Sequence, residues 1–288
     1  NQPKQQMLDL FAGELGQVDL EMLCKNIPRL GMVKEVARSY KYLHWELEFA
    51  DVFENKYGFD FIIGNPPWLK LKWNENIVLG DFNPLMIVKN YTASKISQYR
   101  TSLMKNNNVK KIIFNEFEQI VATQNFLNSV QNYKELKGIQ TDLYQPFLPQ
   151  SWLLANIYGI IGFVHPEGIY TDPKAGKFRK KVYEKLIAHY QFQNAKMLFE
   201  IAHRKKFSIN IYSNKKSSSF ITIANLFDSS TIDQCFDKSL INQNIIGLKN
   251  EKGEWNTKGH PNRVLQINKK ELEIFAELYD EPGIDYRE

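Results

Sequence analysis

The residues best suited to chemistry in this sequence are Asn65, Pro66, Pro67 and Trp68, which follow one another directly. The Asn65 side chain offers a carbonyl acceptor, and Pro66 offers a backbone carbonyl on a residue that has no N–H of its own. Two adjacent prolines stiffen the segment, so both acceptors are held in place before a ligand binds. Trp68 adds a flat face on which an aromatic ring could stack.

Such a pair of acceptors suits an amine attached to a planar ring, for example the exocyclic amine of adenine. That amine is a poor nucleophile because its lone pair is delocalised into the ring. Accepting both of its hydrogens would free the lone pair, and the methylated amine could then lose a proton to water. A base in a duplex must leave the stack to reach such a pocket. The alternative interpretation is a rigid turn with a structural role only.

The elements around this segment predict where it lies. Residues 59–64 are apolar and β-branched, which favours a strand buried on both faces of a parallel sheet. The two prolines must end that strand. The segment therefore falls at the carboxyl end of a strand, where open α/β sheets bind their ligands.

Alternating strands and helices along the chain predict an α/β fold with a mostly parallel sheet and an antiparallel C-terminal hairpin. We predict a helical segment at 1–45, a core at 46–227 with a helical insert at 74–140, and a linker at 228–288. The local predictions are a strand at 47–53, an insert helix that ends at Gly138, a helix that ends at Tyr158, a strand at 160–164, a basic helix at 174–190 and a hairpin formed by 207–212 and 219–226. The chain opens on Asn1 and ends without a clear stop, so we expect a piece of a longer polypeptide.

Positive charge is concentrated in one stretch. The net charge is +5, but residues 174–216 hold twelve Lys or Arg and only two Glu. This predicts a surface that faces DNA phosphates, with a solvated helix face as the alternative. The candidates are Lys174, Lys177, Arg179, Lys180, Arg204, Lys205 and Lys206.

The remaining composition excludes several classes of protein. Two cysteines cannot form a disulfide framework or a thiolate zinc site. The five histidines have no metal-ligand spacing, so we predict no metal site. These features fit a reducing bacterial cytoplasm.

Three ordered segments resemble a known family. The segment from Asp60 to Trp68 resembles the catalytic motif of amino-methyltransferases, in particular the gamma-type adenine-N6 DNA methyltransferases. The run from Asp142 to Phe147, followed by a helix and a strand, is similar to the next block of that family, and Leu198-Phe199 leading into residues 205–209 resembles a third. Residues 44–49 and the long insert are similar to the large fused (type IIG-like) restriction–modification methylases.

The resemblance implies a Rossmann-like fold, S-adenosylmethionine as cofactor and a flipped adenine in double-stranded DNA as substrate. It implies that Asn65 and Pro66 hold the amine and that Trp68 stacks on the base, with Phe199 or Phe207 on the opposite side. It assigns the cofactor's adenine to four further positions, which are Asp51, Val52, Pro67 and Phe147.

The sequence also departs from the family. The glycine-rich cofactor loop expected before Asp51 is not found, and residues 12–16, which hold two glycines, lie in helical surroundings. The first two strands are missing as well, so we expect an incomplete cofactor site and an open sheet edge. An open edge predicts a homodimer or another cover. The alternatives are a methyltransferase acting on RNA or on a protein amide, and a nucleic-acid-binding fragment that is inactive alone.

Overall fold

The computed structural model describes residues 19–242, 249, 252–279 and 285. The chain forms two compact units, Asn1–Asn55 and Lys56–Glu288. None of the helices within the described residues is long and apolar enough to cross a membrane.

The first unit is helical. It contains α1 (Leu20–Asn26), α2 (Pro28–Tyr40) and α3 (Trp45–Glu48), and α4 (Ala50–Lys56) begins in it. The prediction of helix is confirmed for the described residues of 1–45, and residues 1–18 lie outside the described part. The strand predicted at 47–53 is wrong, because these residues form α3 and the start of α4. Their few alternating apolar residues fit a short helical turn as well as a strand.

A six-stranded mixed sheet organises the second unit. Its strands are β1 (Phe59–Gly64), β2 (Ala155–Pro166), β3 (Leu186–Gln193), β4 (Lys206–Ser213), β5 (Ser219–Leu226) and β6 (Leu265–Asn268), in the spatial order β1-β2-β4-β3-β5-β6. Four strands run in one direction, and β4 and β6 run in the other. The predicted α/β class, with antiparallel strands toward the C-terminal end, is confirmed.

The pairing of the two late strands differs from the prediction. β4 and β5 do not form a hairpin with each other, because β3 lies between them, antiparallel to β4 and parallel to β5. The basic helix predicted at 174–190 is accordingly shorter, and α11 spans Gly176–Tyr183. Its predicted second half is β3, whose burial alternates along the strand.

The strand β1 lies at the edge of the sheet and pairs only with β2 among the described strands. Phe61 is 71% exposed and Ile63 is 85% exposed. The prediction that this strand is buried on both faces is therefore wrong, and the predicted open edge is present.

Helices cover the sheet and build the insert. The helix α9 (Phe147–Leu154) ends four residues before the predicted Tyr158, and the remaining residues extend β2. The insert holds α5 (Glu75–Gly80), α6 (Leu85–Val88), α7 (Ala93–Leu103) and α8 (Asn107–Leu127). These helices share a small core around Leu79, Met86 and Ile113. The amphipathic helix is confirmed, but it ends at Leu127 instead of Gly138.

The predicted linker contributes to the sheet. Residues 228–288 include α12 (Ser230–Phe236) and α13 (Lys269–Tyr279), and their strand β6 pairs with β5. The short helix α10 (Gly168–Thr171) follows β2. The main core packs between α11 and the sheet, with Phe178, Val182 and Tyr212 fully buried.

Candidate active site

The strand directions bring the predicted site to one edge of the sheet. β1, β2 and β3 are codirectional, so their carboxyl ends lie at the same edge, and β4 begins there because it runs the opposite way. Asn65 follows β1, and Phe207 lies at the start of β4. The sheet topology thus explains why segments distant in sequence meet at the end of β1.

The two proposed acceptors are available at the end of β1. Pro66 is buried and Asn65 is exposed. Within the described part of the chain, nothing is hydrogen-bonded to the Asn65 side-chain amide or to the Pro66 carbonyl. Neither carbonyl oxygen is therefore committed to a hydrogen bond within the described residues.

An aromatic cluster lies beside these acceptors. The centroid of the Trp68 ring is 4.7 Å from that of Phe199 and 5.8 Å from that of Phe207. The Trp68 Nε1–H donates to the Val164 carbonyl at 3.2 Å, which fixes the indole against β2. Phe207 stacks in turn on Phe192 at 5.3 Å. The structure therefore brings both phenylalanines predicted for the base pocket into contact with Trp68.

The rings of this cluster touch one another and leave no slot. A base held between two rings keeps them about 7 Å apart, twice the stacking distance of roughly 3.4 Å. The 4.7 Å between Trp68 and Phe199 is shorter than that. A base could enter between them only if Phe199 moved outward by roughly 2 Å.

The loop that carries Phe199 is anchored by one buried side chain. Asn194 is fully buried, and its Nδ2 donates to the carbonyls of Phe199 at 2.9 Å and Ile201 at 2.8 Å. Its Oδ1 accepts from the Phe199 backbone N–H at 3.1 Å. The Asn194 backbone N–H also donates to the Lys205 carbonyl at 3.0 Å. Sequence reasoning missed this residue, because its role depends on a loop that closes back on it.

The second motif lies against the first. The Leu143 N–H donates to the Leu69 carbonyl at 2.9 Å, one residue after Trp68. Tyr144 is buried, and its hydroxyl accepts from the Ile169 N–H at 3.1 Å. This segment therefore fixes the path of the chain as it leaves the acceptors. A cavity of about 240 Å³ lies between Lys70, the second motif and α10.

A buried polar network after β2 was not predicted. His165 is fully buried, and its Nε2 lies 2.8 Å from the Tyr212 hydroxyl on β4. Burial lowers the pKa of the His165 imidazole to about 4. Its hydrogen bonds link β2 and β4 beneath the site, so we assign this histidine a structural role.

Glu167 forms the second part of this network. Its carboxylate lies 3.2 Å from the His189 Nε2 and accepts from the Gln191 Nε2 at 2.7 Å. Burial opposes ionisation, but hydrogen bonds from His189, Ser208 and Gln191 outweigh it and lower the pKa of Glu167 to about 2. Polar residues alternate with apolar ones along β3 and β4, and this pattern was the sequence signal that could have indicated the network.

The basic candidates separate into two groups. Lys174 and Lys177 are exposed, whereas Arg179 donates to the Asp172 carbonyl at 3.0 Å and Lys180 pairs with Asp285 at 2.6 Å. The latter two thus have partners within the chain. The second group is exposed and lies close in sequence to Phe207; it comprises Arg204, Lys205 and Lys206.

The positions predicted for the cofactor belong to both compact units. Asp51 and Val52 lie in the first turn of α4, not in the strand predicted at 47–53, and Asp51 is exposed. Pro67 is exposed in the second unit, and Phe147 begins α9 with its ring about half exposed. The two glycines of residues 12–16 lie outside the described part of the chain.

Comparison with sequence families gives one match. Residues 6–94 match the model of a family described as Eco57I restriction-modification methylase. The match includes Asn65 to Trp68 and covers less than a third of the chain. It supports a relationship to restriction–modification methylases. No curated protein sequence matches.

Solved structures of restriction–modification enzymes align weakly with the chain. A DrdV–DNA complex aligns with 62% of this chain and 16% of its own, at 18% identity and a TM-score of 0.34. The type IIG restriction endonuclease BpuSI aligns with 57% of this chain and 18% of its own chain, at 14% identity and a TM-score of 0.34. A type I methyltransferase subunit from Streptococcus thermophilus aligns with 64% of this chain and 28% of its own chain, at 13% identity and a TM-score of 0.31. The chain spans well under two thirds of each of these proteins.

Proposed function

We propose that this chain is the catalytic part of a restriction–modification methylase that acts on the N6 amine of adenine in DNA. One observation carries the proposal. Trp68, Phe199 and Phe207 come from three separate segments, yet they form one cluster beside two available acceptors, Asn65 and Pro66. The family match to residues 6–94 supports the methylase part of the proposal.

The residues of this chain would act by holding the amine. The Asn65 Oδ1 and the Pro66 carbonyl accept its two hydrogens, which draws the nitrogen toward tetrahedral geometry and exposes its lone pair. Trp68 supports the ring of the flipped base. The indole is already fixed by its bond to the Val164 carbonyl, so the face on which the base would stack is in place before the base arrives. The proton is then released to water.

S-adenosylmethionine supplies the methyl group when bound. The residues present fit it in part, because Asp51 offers an exposed carboxylate and Phe147 a half-exposed ring for the cofactor's adenine. Residues 19–58 form helices and turns without a strand followed by a glycine-rich loop. We therefore propose Pro67 and Phe147 of the second unit as contacts for the cofactor's adenine and, separately, Asp51 and Val52 of the first unit for the same role, and we propose that this chain forms the cofactor site incompletely.

The exposed basic residues suit a DNA substrate. Lys174 and Lys177 form one candidate group, and Arg204, Lys205 and Lys206 form another in the segment that leads to the aromatic cluster. Contacts of this kind hold a duplex in register without reading its sequence. We propose double-stranded DNA as the partner on this basis.

The test is methyl transfer from labelled S-adenosylmethionine to three substrates in parallel. Duplex DNA, folded RNA and a mixture of soluble proteins would each be incubated with the chain, with S-adenosylmethionine in large excess to offset the incomplete cofactor site. Modified nucleosides and residues would be identified by mass spectrometry. We expect N6-methyladenine in DNA. N4-methylcytosine, or product in RNA or protein alone, would contradict the substrate assignment. No product in any of them would favour the nucleic-acid-binding alternative.

A further inference from the structure

An apolar tip projects from the loop that carries Phe199. Residues 194–205, which we term the wedge loop, connect β3 to β4. It contains three consecutive apolar residues that differ in their surroundings. Phe199 packs on Trp68, whereas Met197 and Leu198 are 58% and 54% exposed. Met197 has a left-handed backbone conformation with φ 52°, which turns the chain at the tip. The tip thus presents two apolar side chains to solvent immediately beside the candidate base pocket.

The wedge loop is held in place. The side chain of the buried Asn194 accepts a hydrogen bond from the Phe199 N–H and donates hydrogen bonds to the carbonyls of Phe199 and Ile201. The Lys205 carbonyl closes the base of the loop by accepting from the Asn194 N–H. A loop fixed in this way loses less conformational freedom on binding than a free one. It can therefore present its apolar tip to a partner at low entropic cost.

The charge of the wedge loop indicates the partner. Arg204, Lys205 and Lys206 are exposed at its end. A fourth cation, Lys196, forms an exposed ion pair with Asp228 at 2.7 Å. Phosphates attract such a cluster, and bases offer flat apolar faces between which Met and Leu side chains can insert. Duplex DNA combines both features.

We infer that the wedge loop inserts Met197 and Leu198 into the duplex at the position that the flipped adenine vacates. The inference rests on the proposed function, because it places the wedge beside the pocket that receives the base. Filling the vacated space would offset part of the cost of unstacking.

The test compares an intact duplex with one that contains a single abasic site. An abasic site supplies the vacant space without any flipping, so a wedge should favour it whatever the recognition sequence is. We expect the wild-type chain to bind the abasic duplex about tenfold more tightly, the effect of burying roughly one apolar side chain. Binding would be measured by fluorescence anisotropy at constant salt.

Variants assign that preference to the tip. The double variant Met197→Ser/Leu198→Ser should lose it, whereas Met197→Leu/Leu198→Met should keep it because both side chains stay apolar. The control Leu153→Ser/Ile157→Ser removes two exposed apolar side chains from α9 and β2 and should also keep the preference. Circular dichroism would establish that all variants are folded. The exposed positions make that the expected result.

Three outcomes would overturn the inference. They are a wild-type chain without preference for the abasic duplex, a serine variant that retains the preference, and loss of the preference in the Leu153/Ile157 control. Binding to vesicles of phosphatidylserine and phosphatidylcholine that depends on Met197 and Leu198, without any preference for abasic DNA, would assign the tip to a membrane surface instead. Failure of the proposed function is distinguishable, because it removes methyl transfer while the abasic preference remains.

Discussion

Replacing Asn194 with alanine should destabilise the second unit by about 3 kcal/mol. The side chain makes three hydrogen bonds, two to the carbonyls of Phe199 and Ile201 and one to the Phe199 N–H. Each is worth about 1 kcal/mol net, and the partners left behind are partly shielded from water. Rehydration of the opened loop would recover part of this loss, so the value is an upper estimate.

Equilibrium urea unfolding followed by far-ultraviolet circular dichroism would measure the change in free energy of unfolding. In a thermal scan the same change corresponds to a decrease in Tm of roughly 6–12 °C for a unit of this size. Asn115→Ala is the matched control, because Asn115 is exposed on α8. It should change the stability by less than about 0.5 kcal/mol.

A second variant tests whether the polarity of the side chain matters. Asn194→Asp keeps the shape but places a carboxylate oxygen against the carbonyls of Phe199 and Ile201, so it should destabilise at neutral pH at least as much as alanine does. Equal stability of Asn194→Ala and Asn115→Ala would refute the reasoning. So would an aspartate variant as stable as the wild type.

Three further predictions follow from the same structure. The folded pKa of His165, about 4, lies below its ordinary value of 6.5, so its contribution is complete above pH 6.5 and is lost as the pH falls toward 4. The free energy of unfolding of the wild type should be smaller at pH 5 than at pH 7, and His165→Gln should largely remove this difference. A variant with the same pH difference as the wild type would contradict the prediction. If the open edge of β1 mediates a homodimer, Ile63→Lys should produce a monomer in analytical ultracentrifugation, and identical sedimentation of wild type and variant would exclude that edge. Lys205→Gln/Lys206→Gln should make the negative slope of log K against log salt shallower by about 2, where K is the association constant for duplex DNA and each phosphate contact contributes about one. An unchanged slope would place both lysines away from phosphate.

Sequence reasoning succeeded where a local pattern sufficed. The strand at Phe59–Gly64 and the proline break after it follow from residue types alone, and both are present. The convergence of Phe199 and Phe207 on Trp68 was expected only from family resemblance. The sheet supplies the physical cause, because β3 ends and β4 begins at the edge where β1 ends.

The errors have identifiable causes. Residues 47–53 are apolar except for Glu48 and Asp51, and the span is too short to distinguish a strand from a helical turn. The strand β3 was absorbed into a basic helix, although residues 186–193 carry a strand-like alternation. The exposure of β1 and the pairing of β4 and β5 depend on which strands are neighbours, which no local pattern encodes.

The buried polar residues illustrate the same limit. The contact between His165 and Tyr212 joins positions 47 residues apart, and that between Glu167 and His189 joins the turn after β2 to β3, a strand that is not adjacent to β2 in the sheet. Asn194 likewise serves a loop whose closure is a tertiary feature. Such residues can be identified only once the fold is known.

The claim that Asn65 and Pro66 hold the target amine has one direct test. N6-methyladenine formed in duplex DNA would be quantified by mass spectrometry for the wild type, Asn65→Ala and the control Asn115→Ala, at saturating S-adenosylmethionine. Loss of one preorganised hydrogen-bond partner should lower the rate by roughly 100-fold or more in Asn65→Ala and leave the control unchanged. An Asn65→Ala variant that forms N6-methyladenine at the wild-type rate would contradict the account.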